Sequence, residues 1–172
     1  VTPVRVNRAP VLTLWAAVVA ERLGHPPGTA LSLASAVAGT AARAKARRLG
    51  FAEDVEGGRD GGRLAPRRSV ELLGRAVPVA AAADGQLRAA DGEGHPTPHE
   101  PAQHYVERAF GKRLEEVRAA MRDLAASLPA EELNRVGFRL YEAFRPEVPE
   151  GVSGWGAKGE LRIERIRAAA QD

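Results

Sequence analysis

Apolar residues at Val11, Leu14, Trp15, Val18, Val19 and Leu23 recur at intervals of three and four, the spacing of one face of an α-helix. Pro10 supplies a start and Gly24 a stop. Leu12, Ala16, Ala17 and Ala20 carry the apolar surface nearly all round, so the pattern predicts a helix covered by other elements rather than one lying half exposed. After the turn His25-Pro26-Pro27-Gly28 a second helix is expected from Thr29 to Leu49, stopped by Gly50. Its Ala30, Ala34, Ala38 and Ala41 form a low ridge that lets another helix approach closely, the first helix being the obvious partner.

The period then changes. From Phe51 to Pro66 the chain is loose and polar around "EGGRDGGR", which predicts an exposed loop. "SVELLGRAVPVA" has a hairpin register: with Gly74-Arg75 as a two-residue turn, Leu72 faces Val77 and Val70 faces Val79, all on one side. Pro78 has no N–H for a ladder, so a free edge is expected on that strand. After the turn at Asp84-Gly85, "QLRA" is a candidate third strand.

"DGEGHPTPHEPAQH" reads as a connector whose prolines rule out a continuous helix before about Ala102. "PAQHYVERAF" follows as a short helix ending at Gly111. Leu114, Val117, Met121, Leu124 and Leu128 then make a regular apolar seam on a charged helix. Beyond the break at Pro129, Leu133, Val136, Leu140 and Phe144 repeat the seam, widened by Gly137, Phe138 and Tyr141, until Arg145-Pro146 ends it. So short a connection predicts an antiparallel helical hairpin, its seam buried by its partner helix, by the N-terminal helices or by a second copy of the chain.

The expected fold is mainly α: a helical bundle with a small antiparallel β-hairpin inserted between two helical halves. One domain spans 1–172, with N-terminal helices in 1–50, loop, hairpin and connector in 51–100, and a helical hairpin with a C-terminal clasp in 101–172. No βαβ series is present, which weighs against a dinucleotide-binding sheet.

Composition narrows the chemistry. Zero cysteines remove thiol catalysis and every Cys-based metal site, and fit a reducing compartment. Against 25 basic and 22 acidic side chains the net charge is only +3, so attraction to a polyanion has to come from a local cluster. Arg5 and Arg8 before "APVLTLWAAVVA" imitate a signal peptide, but Glu21 and Arg22 continue the helical pattern. That run is well short of the ~20 apolar residues that span a bilayer, so a cytoplasmic protein with no membrane partner is expected.

The strongest single-sign cluster is Arg43, Lys45, Arg47 and Arg48, within six residues and without an acid. Cations suit a helix C-terminus, which is the structural reading; contact with a nucleic-acid backbone is the functional one. Recast as a helix-turn-helix turning at Gly39, the segment would bury Lys45 and Arg48, and no Asn or Gln there could read adenine. Any binding is therefore expected to be weakly sequence-specific.

Gly154, Gly156 and Gly159 have dinucleotide-loop spacing, with Trp155 and Lys158 among them. The stretch lacks a preceding strand and a second strand after it, and no Ser or Thr follows Lys158. A compact loop over Trp155 that clasps the C-terminal segment to the body is the structural reading, with a short strand through "LRI" and a helix from Glu164. The chemical alternative is a small phosphorylated ligand held by glycine amides with Lys158, Arg162 and Arg165. His95, His99 and His104 share a stretch with Asp91, Glu93 and Glu100, but the prolines prevent helical pairing of the imidazoles, so no metal site is expected. No nucleophile and base pair stands out, and no cofactor is implied.

"TLWAAVVAERLG", "LLGRAVPV" and "FRPEVPEGVSGWGAKGELRIERI" together resemble a group of uncharacterised conserved small bacterial proteins. The resemblance covers most of the chain and implies one unit rather than a fusion. It carries no assigned activity. The expectation is thus a non-enzymatic interaction module, with nucleic acid as a candidate partner and self-association through the helical seams as a second possibility.

Overall fold

The computed structural model describes residues 3–48, 69–90, 94–147 and 159–169, with the side chains of 39–48 left aside. The described chain is mainly α, with a small antiparallel sheet. At its centre is α1 (Arg8–Arg22), in which every residue from Pro10 to Ala20 is buried. This is the all-round coverage that its apolar surface predicts. Gly24 follows its C-cap in a left-handed conformation, φ +107°, and ends it where expected.

The second helix, α2 (Pro27–Arg48), starts two residues earlier than predicted, because a proline in the first turn has no intrahelical N–H bond to lose. It runs unbroken through Gly39. Ala30, Leu33, Ala34 and Val37 are fully buried, and α1 with α2 forms the most extensive helix pair.

Strands β2 (Ser69–Leu72), β3 (Arg75–Ala81) and β4 (Leu87–Ala89) form a sheet in that order. Two expectations are corrected here. The turn is Leu73-Gly74 rather than Gly74-Arg75, so Leu72 pairs with Arg75 and Val70 with Val77. Both turn residues have positive φ, +55° and +79°, as a type I′ turn requires. A two-residue slip leaves the same side chains on the same face, so Leu72, Val77 and Val79 are buried as the pattern predicts. Second, Pro78 does not mark a free edge: β3 is the central strand, and Pro78 stands where β4 has just ended, accepting the Ala90 N–H at 2.8 Å.

The turn docks on the second helical half. Helices α3 (Glu100–Phe110), α4 (Leu114–Ala126) and α5 (Ala130–Phe144) follow, with a single 3₁₀ turn at Gly111–Arg113 between the first two. Asn134 of α5 accepts the Leu73 N–H at 2.6 Å and donates to the Glu71 carbonyl at 3.1 Å. The Leu73 side chain fills the space over Gly137, whose carbonyl accepts the Trp15 indole N–H at 2.8 Å. Trp15 also meets Phe144 edge to face, centroids 5.4 Å apart.

The seams of α4 and α5 are buried inside this chain, but not as the expected helical hairpin. Each packs on α1, as one of the expected alternatives had it, and they make little contact with each other, because the buried apolar stretch Pro10–Ala20 of α1 offers both a better partner. Finally β5 (Gly159–Leu161) pairs antiparallel with β1 (Val4–Val6), and α6 (Ile163–Ala168) lays Ile163 and Ile166 into the core. A strand followed by a helix is the predicted C-terminal order, shifted by one to two residues. A single apolar core runs from Val4 to Ala169.

Candidate functional site

Two buried hydroxyls at the start of α2 organise a cleft lined with charge. The Thr29 hydroxyl donates to the Leu87 carbonyl at 2.6 Å. Ser32 accepts the Ala89 N–H at 2.8 Å and donates to the Thr97 carbonyl at 3.0 Å, while the Thr97 N–H returns to the Ala89 carbonyl. Strand β4, the connector before α3 and the first turns of α2 are thereby fixed to one another. Each bond satisfies a polar group that burial would otherwise penalise.

Between them lies a cleft of about 220 Å³, lined by Ala82 just beyond β3, by Arg88 of β4 and by the chain from Pro96 to Glu100. The Arg88 side chain is only 8% exposed, which is unusual for a guanidinium. Its Nη1 donates to the Leu87 carbonyl at 3.0 Å and, at 3.4 Å, to Thr29 and Gln86. Nη2 reaches Asp84 at 3.5 Å, a carboxylate 56% exposed. Gly28, in the first turn of α2, lies against both Arg88 and His99: a Cβ there would stand 3.2 Å from Arg88 Nη2 and 3.3 Å from His99 Nδ1. The absent side chain leaves room for guanidinium and imidazole together. Arg88 escaped sequence reasoning because a lone Arg in "QLRA" carries no motif, and its burial depends on Thr29 and Asp84.

The sequence-predicted sites fare unevenly. Arg43, Lys45, Arg47 and Arg48 fall on the last turns of α2, with side chains outside the description; the unbroken helix leaves no turn at Gly39. Gly154, Trp155, Gly156 and Lys158 lie outside the described residues. Gly159 is buried in β5, where a Cβ would sit 2.9 Å from the Glu147 carbonyl and 2.9 Å from the Pro146 side chain. Of the cations expected beside the glycines, Arg162 pairs with Glu160 at 3.4 Å and Arg165 with Glu147. His104 is exposed and pairs with Glu107 at 3.7 Å, His95 is exposed, and His99 turns to the Arg88 cleft. Among the described residues no group of three or more ligating side chains could hold a metal ion.

No protein-family model, curated protein or solved structure matches the chain. Residue roles therefore rest on geometry alone. No described helix is long and apolar enough to cross a membrane.

Proposed function

We propose that the chain is a non-enzymatic interaction module of a bacterial cytoplasm that contacts nucleic acid through Arg43, Lys45, Arg47 and Arg48. The scaffold is a helical bundle with the β2–β4 sheet inserted between its two helical halves. One observation carries the reading. Helix α2 has 22 residues against 15 in α1, the helix it packs on most, and the four cations lie in its last two turns. A run of cations without an acid at a helix end suits contact with phosphates.

Fluorescence anisotropy of labelled duplex DNA and single-stranded RNA tests it, comparing the wild type with a variant carrying Ala at all four positions. Four neutralised phosphates predict an affinity that falls on the order of a hundredfold between about 50 and about 200 mM salt, with little dependence on sequence. The variant should lose that binding. No binding at low salt, or equal binding by the variant, overturns the proposal.

The reading of Gly154, Trp155, Gly156, Lys158 and Gly159 as a phosphorylated-ligand loop stands second. Its support is the glycine spacing, whereas Arg162 and Arg165 already have carboxylate partners and Gly159 is explained by its packing.

A further inference from the structure

We propose that the cleft between β4, the connector and the first turn of α2 is a binding site for a small monocarboxylate, held by Nε and Nη2 of Arg88. The argument starts from the cost of the arginine. A guanidinium removed from water needs compensation by opposite charge and by acceptors for its five N–H groups. Nη1 has three acceptors, but Nη2 has only a 3.5 Å approach to a largely exposed Asp84, and Nε has no acceptor among the described residues. The Nε–Nη2 edge is the one that pairs side by side with the two oxygens of a carboxylate. Arg88 lines the cleft, so the under-used cation and the empty volume coincide.

The surroundings select among anions. His99, the N-cap of α3, lines the cleft, and Gly28 in the first turn of α2 lies beside Arg88 and His99, so the positive helix ends add to the attraction. Glu100, 64% exposed, lines the cleft, and Asp84, 56% exposed, lies 3.5 Å from Nη2; both oppose a dianion more than a monoanion. Ala82, Pro96 and Pro98 provide apolar wall for a short aliphatic body. About 220 Å³ accommodates an acid of a few carbons rather than a nucleotide.

The test is a titration of the ¹⁵N-labelled full chain with butyrate, followed by amide shifts, with butanol and inorganic phosphate as separate arms. Saturable shifts confined to residues near Ala82–Ala90 and Thr97–Glu100, caused by butyrate and not by butanol, are expected. Glu100→Gln removes a rim charge from an exposed position and should tighten butyrate by up to about five-fold, the scale of an exposed ion-pair interaction. Arg88→Lys keeps the charge but not the fork and should abolish the shifts; should that variant not fold, Gly28→Ala, which crowds Nη2 without touching charge, should weaken binding instead. Absence of saturable butyrate shifts, equal shifts by butanol, stronger binding of phosphate, or shifts unmoved in Glu100→Gln and Gly28→Ala would overturn the assignment.

Discussion

Leu73 holds a left-handed backbone conformation that costs a non-glycine residue roughly 1–2 kcal/mol, yet it is buried. Its side chain is the reason: it occupies the space a Cβ would take at Gly137, while its N–H is bound by Asn134. Gly137→Ala gains helix propensity of about 0.5–1 kcal/mol but overpacks a buried contact that typically costs about 1–3 kcal/mol. We expect net destabilisation of about 1–2 kcal/mol by urea denaturation, and a non-additive cycle with Leu73→Ala because the two residues share one space. Additive effects would separate the glycine from the turn. Tyr141 makes a second prediction. Its hydroxyl donates to the Arg8 carbonyl at 3.3 Å, and burial pushes its pKa up to about 12. A raised folded-state value favours the protonated form, so this contribution is intact below pH 10 and is lost as pH rises from about 10 to about 12. Tyr141→Phe should flatten that part of the alkaline stability profile, read from denaturant midpoints.

At the level of elements, the first and last strands meet in β1 and β5, and Gly159 sets how closely β5 can lie on the Glu147 backbone and the Pro146 ring. Glu147 and Glu160 exchange backbone hydrogen bonds at 3.2 and 3.0 Å, and the Glu147 side chain pairs with Arg165 of α6. Gly159→Ala cannot relax by moving a flexible side chain, because backbone stands in the way. Faster amide hydrogen exchange at Val4 and Val6, with the helical core still protected, is the expected outcome. How these elements read from sequence depends on the range of the forces involved. The end of α1 was legible because Gly24 acts within one turn, whereas its start lies two residues before the expected Pro10, which the first turn tolerates. The hairpin's face was legible from alternation, but its register was not: Leu73 enters the turn only because Gly137 and Asn134, some sixty residues on, receive it. The glycine spacing at 154–159 was visible, whereas the close approach that explains Gly159 is a contact with Glu147. Arg88 was illegible for the same reason, since Thr29 and Gly28 reach it from another element.

For the whole molecule, the seam that could have served a dimer is core. Leu124 is 2% exposed within one chain. Leu124→Asp should therefore lower stability by at least about 3 kcal/mol, losing apolar burial and burying a carboxylate, rather than dissociate a folded dimer. Denaturation together with solution mass checks this; a normally stable variant with a changed mass would make the seam intermolecular. The central placement of α1 has a consequence in time as well as in space. It precedes the helices that cover it by about a hundred residues, α4 and α5 beginning only at Leu114 and Ala130. At ~5–20 residues per second, translation leaves this almost wholly apolar helix waiting some 5–20 seconds for those partners. During that interval its cover is partial, from α2, then β2 and then α3, and the nascent chain offers a hydrophobic target to any holdase at the ribosome exit.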